Sequence, residues 1–464
     1  MQGIGRVSCL AALCSFTSIL AGCEGRITSS DPPQPTLDAQ LRQSIGNWGV
    51  VPIGAVQAQD SALVRLGQAL FFDPILSGNR DISCATCHHP STSLGDGLAL
   101  SIGTGGKGLG PARTLGSGRA FVPRHAPSLI NSGIGNQYLF WDGRLTGHGP
   151  TFFLESPVSA TDSVRVILPP GLPGVLAAQA MLPVVTRSEM LGNPGDVDVF
   201  GNPNELAMFG AGEEAEIWSG IMKRLIAIPE YASMFAVAFP GTPVNQFGFD
   251  DAARALVAFQ VDAFTMTRSP FDRYLDRDDA ALTVEQKRGG LLFFGRGLCS
   301  TCHNGPFLGG QTFANTGIPQ LGPGGPSRPP LDLGRAELIN NDFYRFAFRA
   351  PPLRNVELTS PYMHNGAYST LEAVVRHYDN VPLALRTYDV DRHAPALHAM
   401  HHAGEATIRD VLETLDGRLR TSLHLSDQEM RELVAFLKSM TDPAARDLRA
   451  LVPSRVPSGL PIAN

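Results

Sequence analysis

Two segments of the chain repeat one arrangement of ligating side chains: Cys84-Ala85-Thr86-Cys87-His88 and Cys299-Ser300-Thr301-Cys302-His303. Two thiols three residues apart can reach the two vinyl groups of one porphyrin, and the histidine after them falls over the iron as proximal ligand. One copy alone could belong to a zinc site. Two copies, each with its own histidine, specify two covalently bound c-type haems. An iron with two strong protein ligands carries electrons, whereas an iron with an open sixth position can bind and split peroxide. The chemistry therefore turns on which residues face each iron from the distal side, and the spacing of the motifs does not name them.

The elements that position these motifs read as helices. The spacing predicts a helix over residues 251–264, capped by Asp250, with Ala255, Leu256, Phe259 and Ala263 on its apolar face. Thr283 and Gln286 make a capping box for a helix to Phe294, which delivers the chain to the second motif. Thr370 caps a short helix through Tyr378. Ser426 and Glu429 form another box, with Leu425 and Met430 as a hydrophobic staple, for a helix to about Met440. No stretch sustains strand alternation. Leu70-Phe71-Phe72 before the first motif is echoed by Leu292-Phe293-Phe294 before the second. The fold class is mainly α: two cytochrome-c-like haem domains with long Pro/Gly-rich loops, as 49 Gly and 36 Pro in 464 residues require. The expected organisation is a lipoprotein signal peptide over 1–22, a tether over 23–50, and a first haem domain with linker helices over 51–277. A second haem domain over 278–445 and a tail over 446–464 complete it. The segment 145–178 reads as an inserted surface loop.

Of the 7 cysteines, four serve the motifs. Cys9 and Cys14 lie in a short apolar run behind Arg6 that ends Leu20-Ala21-Gly22-Cys23, the pattern of a secretory signal with a lipobox. Cys23 is then the lipidated first residue, and Glu24 after it favours the outer membrane of the periplasm. A net charge of −6 gives no reason to expect nucleic acid as a partner.

From about Leu66 to Asp442 the chain resembles the bacterial di-haem cytochrome c peroxidase family, which includes the MauG-like proteins. The resemblance is carried by Phe140-Trp141-Asp142-Gly143-Arg144, by Phe313-Ala314-Asn315-Thr316-Gly317-Ile318-Pro319, and by the run from Pro352 to Gly366. It implies that the haem of His88 is the peroxide site. Many family members place a distal histidine within Ser-Ile-Gly-His-Gly; here Ser101-Ile102-Gly103-Thr104-Gly105 has Thr104, a poor iron ligand, which implies an open site. Gln179 and Glu189, with Pro183 between them, match the distal pair. A carboxylate there takes a proton from the near oxygen of peroxide and returns it to the far one, leaving a high-valent haem state. Trp141 matches the tryptophan between the haems and is implied as an electron relay. At the second haem, whose proximal ligand is His303, Tyr378 stands where peroxidases use methionine, as in MauG; its rivals are Met363 and His377. Thr359 and Pro361 match backbone ligands of a calcium ion, with His125 at a third position that is normally Asn. His393, His398, His401 and His402 cluster, with His398 and His402 spaced for one helix face, and read as a solvated face.

These residues point to an oxidoreductase that uses hydrogen peroxide to oxidise a periplasmic protein partner, in the MauG-like manner. The alternatives are an ordinary cytochrome c peroxidase fed by a small cytochrome or cupredoxin, and a non-catalytic di-haem electron-transfer cytochrome.

Overall fold

Both haem motifs follow a helix of one design. Ser61–Phe72 starts on Asp60, whose Oδ1 accepts the N–H of Ala62 at 2.7 Å. Val284–Phe294 starts on the expected capping box: Thr283 N–H donates to Gln286 Oε1 at 2.9 Å, and Gln286 N–H donates to Thr283 Oγ1 at 3.2 Å. Each helix carries a glycine a turn before its Leu-Phe-Phe end, and there a second helix crosses. A Cβ on Gly67 would lie 2.0 Å from the Ala255 carbonyl oxygen; one on Gly289 would lie 1.9 Å from that of Glu432. The crossing helices are Phe249–Ala263 and Asp427–Lys438. Phe259 packs against Phe71 and Phe72 at 5.5 and 6.3 Å, and Phe436 packs against Phe293 and Phe294 at 5.4 and 5.8 Å. The echo seen in the sequence is thus a repeated helix crossing. Each of these rings is at least 95% buried and contributes roughly 2–3 kcal/mol by removal from water.

The computed structural model describes residues 35–135, 137–148, 151–155 and 166–463. The signal peptide over 1–22, Cys23 and part of the inserted loop lie outside the described residues. Leu37–Asn464 make up one compact unit. Two large cores fill it, one under each crossing, and they hold Leu70, Phe71 and Phe259 in the first and Phe293, Leu433 and Phe436 in the second.

Several boundaries differ from expectation. Within the stretch read as a tether, Leu37–Gly46 is a helix whose Leu41 and Ile45 are buried in the second core against Val284–Phe294. Leu37, Leu41 and Ile45 share one face, a signal too short to outweigh the polar residues around it. The helix over Phe249–Ala263 is capped by Gly248, whose N–H donates to Asp251 Oδ2 at 3.1 Å; Asp250 sits inside the first turn, where its charge suits the helix dipole. The inserted loop contains a hairpin, Leu145–His148 paired antiparallel with Thr151–Leu154, and Tyr138–Leu139 adds a third strand. The segment after residue 446 returns to the first core: Val456 is 1% exposed and Ser458 Oγ donates to Asp73 Oδ1 at 2.6 Å. No helix among the described residues is long and apolar enough to cross a membrane.

Candidate functional site

The first motif begins on the single turn Cys84–Cys87, which opens on the capping pair Ser83 and Thr86 and ends at His88. His88 Nδ1 lies 3.0 Å from the carbonyl oxygen of Leu94. A carbonyl only accepts, so Nδ1 carries the proton and Nε2 keeps its lone pair. The second motif repeats this, with His303 Nδ1 3.1 Å from the carbonyl oxygen of Leu308. Leu94 and Leu308 are both fully buried and both left-handed, with φ of 60° and 55°. Burial lowers both histidines, His303 to about 4, so each is a neutral ligand at neutral pH. Among the described residues none of the four motif cysteines forms a disulfide, and burial pushes Cys84 and Cys299 up to about 12.

A cavity of about 510 Å³ opens over Cys84, Cys87 and His88. Gln179, Glu189 and Trp141, far apart in sequence, all line it. Gln179 stands on the helix Val175–Ala180, the end of which is tied down by Trp218, whose indole N–H donates to the Met181 carbonyl at 3.0 Å. Glu189 stands on a turn of π-helix, Arg187–Leu191, a form that recurs at functional sites. Among the described residues its carboxylate has no hydrogen bond to protein. Burial raises its pKa, and Arg144 opposes the rise. Trp141 is fixed at both ends: its indole N–H donates to the His125 carbonyl at 2.8 Å, and its own carbonyl accepts Arg349 N–H at 2.8 Å.

Thr104 does not line the cavity. It is 3% exposed, and its hydroxyl donates to Asp81 Oδ1 at 2.7 Å. From the same loop Ser101 lines the cavity, with its hydroxyl buried and without a partner among the described residues.

At the second motif, burial raises the Tyr378 phenol, which lies close to Cys302 and Cys299. The two rivals are spent elsewhere. His377 Nε2 lies 2.8 Å from the Thr316 carbonyl oxygen and its Nδ1 accepts the Tyr368 hydroxyl at 2.8 Å, so neither nitrogen is free for iron. Met363 packs against the second core.

The cavity wall holds residues that the sequence did not single out. Arg349 and Arg354 line it, and Arg349 Nη1 and Arg354 Nη2 are buried without a hydrogen-bond partner among the described residues. Arg354 has Asp272 as counterion, but Arg349 has no carboxylate within ion-pair distance among the described residues. Burial lowers both to about 10, so they remain cations. A buried cation without a counterion is costly. A porphyrin bearing two propionates would supply the missing anion, so these side chains fit a haem in the cavity. Below them Arg124 bridges Asp142 at 2.5 Å and Asp332 at 2.7 Å. Glu337, 5% exposed, has Oε1 without a partner among the described residues, and burial followed by the Asp332 charge pushes it up to about 7. The hints in the sequence were that Asp142 and Arg354 fall inside matched runs.

Thr359, Pro361 and His125 line the same cavity. His125 Nδ1 is taken by the Leu98 carbonyl at 2.7 Å. The helix expected to join His398 and His402 ends at His398. His393 Nε2 lies 2.6 Å from the Tyr388 hydroxyl and His402 Nε2 3.2 Å from the Gly322 carbonyl. No group of three metal-ligating His, Cys, Asp or Glu occurs among the described residues.

A family model described as di-haem cytochrome c peroxidase matches residues 61–280. The cytochrome c551 peroxidase of Pseudomonas aeruginosa is 33% identical over 341 residues, covering 72% of this chain and 78% of that protein. The methylamine utilization protein MauG of Methylorubrum extorquens is 28% identical over 443 residues, covering 95% of each. Among solved structures, a MauG-like protein associated with microbial copper homeostasis superposes with a TM-score of 0.55 at 26% identity, over 87% of this chain and 95% of the other.

Proposed function

Because the chain belongs to the di-haem cytochrome c peroxidase family, we propose that it reduces hydrogen peroxide in the cavity of His88 and oxidises a protein partner in the MauG-like manner. Family membership makes it a peroxidase-type oxidoreductase and implies two c-type haems. The observation that carries the reading is the gathering of His88, Gln179, Glu189 and Trp141 on one cavity.

When bound, the haems supply the irons that take up peroxide and hold the two oxidising equivalents. Glu189 moves a proton from the near oxygen of peroxide to the far one, which then leaves as water. Its raised pKa suits it to give the proton back at neutral pH. The Gln179 amide orients the peroxide. Trp141 relays electrons between the two sites, held by His125 and Arg349. Tyr378 favours protein oxidation over plain peroxidase turnover, because a phenolate, unlike a thioether, does not raise a haem potential. The reading includes export to the periplasm and a lipid on Cys23, supported by the Leu20-Ala21-Gly22-Cys23 motif.

Electron paramagnetic resonance of the resting diferric protein tests the site, with one high-spin and one low-spin haem expected. Two low-spin haems and no reaction with peroxide would leave only an electron-transfer cytochrome. Peroxide added without a donor, followed by mass spectrometry of candidate periplasmic proteins, tests the partner. Added oxygen or a cross-link supports protein oxidation. Fast turnover with reduced cytochrome and no modified protein supports the plain peroxidase.

A further inference from the structure

Glu189 makes no side-chain hydrogen bond to the protein among the described residues, so its aim is set by the backbone that carries it. That backbone is gripped from two sides. On one side Arg187 donates Nη1 to the Gly192 and Ala207 carbonyls at 3.1 and 3.2 Å, and Nη2 to the Phe209 carbonyl at 2.7 Å. On the other side lies the loop 101–105. Thr104 N–H donates to the Glu189 carbonyl at 2.8 Å. The contact is close: a Cβ on Gly103 would lie 1.9 Å from the Ser188 carbonyl oxygen.

The loop is itself held rigidly. Arg113 donates to the carbonyls of Ile102, Gly108 and Gly103 at 2.8, 2.8 and 2.7 Å. Asp81 accepts the Thr104 hydroxyl at 2.7 Å and Gly105 N–H at 2.6 Å, while Asn79 donates to Thr104 Oγ1 at 3.0 Å. Thr104 therefore has two ends in use. Its hydroxyl is locked into Asp81, and its amide is locked onto the residue that faces the cavity.

We propose that Thr104 and Asp81 are positioning residues for Glu189: their hydrogen-bonded clamp fixes the backbone from which the Glu189 carboxylate reaches peroxide. The proposal rests on the reading of Glu189 as proton carrier. Loss of the hydroxyl leaves the partly buried Asp81 Oδ1 without its donor and frees the loop to shift. A small misplacement of a reacting group costs rate steeply. The charged group that faces Glu189 among the described residues is Arg144, which acts to lower it; the Cys87 sulfur nearby is neutral.

The test uses the holoenzyme. Thr104→Val is expected to slow the reaction with hydrogen peroxide by roughly 10- to 100-fold, with haem content and the spectrum of the second haem unchanged. As the loosened Glu189 gains water, the acid limb of the pH–rate profile is expected to move to lower pH. Thr104→Ser, which keeps the hydroxyl, is expected to restore both rate and limb. A wild-type rate and limb in Thr104→Val overturn the proposal, as does a Thr104→Ser variant as slow as the valine. Should Thr104→Val fail to take up haem, Asp81→Asn, which keeps the side chain's shape but replaces the oxygen that accepts Gly105 N–H, loosens the clamp and is judged by the same rate and limb. Glu189→Gln run in parallel separates the two readings. If it reacts like wild type, both fall; if it is slow while Thr104→Val is not, only the clamp falls.

Discussion

Replacing Arg124 by methionine removes the centre of a buried ion cluster and leaves two carboxylates behind. The side chains of Arg124, Asp142 and Asp332 are 11, 5 and 9% exposed, so this is not a surface pair worth a few tenths of a kcal/mol. Breaking a buried pair by removing one partner costs about 3–5 kcal/mol. Arg144, 3.2 Å from Asp142 Oδ1, still offsets part of the loss at Asp142, whereas Asp332 keeps no other cation in contact. For 464 residues at about 2 cal/mol/K each, the unfolding entropy is about 1 kcal/mol/K, so Tm falls by about 3–5 °C. The sign with pH follows from the carboxylates. Burial alone would raise Asp142 and Asp332, but the arginines hold both below the ordinary carboxylate value. In the native protein their stabilisation is therefore full above an unfolded pKa of about 4 and is lost as pH falls through the depressed folded values. In Arg124→Met the folded pKa values rise instead, so the defect is largest at neutral pH and shrinks as the carboxylates protonate on acidification. Soret circular dichroism melts at pH 7.5 and pH 5 read this out. A Tm loss below 1 °C at pH 7.5, or an equal loss at both pH values, would falsify the reasoning.

Three further predictions concern the haem sites. Tyr378→Met should give the second haem His/Met-type absorption and a higher midpoint potential, and an unchanged spectrum refutes the ligand assignment. Glu189→Gln should slow peroxide reduction by about 10²–10⁴-fold. It should also abolish an acid limb that lies above the ordinary carboxylate range, because burial raises this group; stopped-flow rates across pH decide it. Arg349→Leu removes a buried cation and should lower a haem potential, on the order of 70 mV for a charge about 10 Å away at an effective dielectric of about 20. Unchanged potentials in a redox titration mean that Arg349 does not face a propionate.

Local signals carried far in this sequence. The boxes of Thr283 with Gln286 and Ser426 with Glu429, and the cap at Thr370, form as the spacing implied, because a cap is decided within four residues. Gln179, Glu189 and Trp141 converge on one cavity, and Tyr378 lies beside the second motif, although their roles came from resemblance rather than from spacing. The failures are of long range. Arg124 and Asp332 meet across more than two hundred residues, and Arg349 lies in a stretch where an arginine looks like any solvated charge. The direction of Thr104 was equally hidden. Its hydroxyl turns to Asp81 and not to the cavity, a choice made by the Arg113 and Asn79 contacts around the loop.

The glycine crossings at Gly67 and Gly289 have a wider consequence. The same crossing, the same phenylalanine cluster and the same leucine carbonyl behind the histidine underlie both haem motifs. The proximal halves therefore share one packing scheme. Nothing in them records which haem meets peroxide. That instruction is written in the distal segments that carry Gln179, Glu189 and Tyr378, so two matching proximal scaffolds can serve two irons of different reactivity.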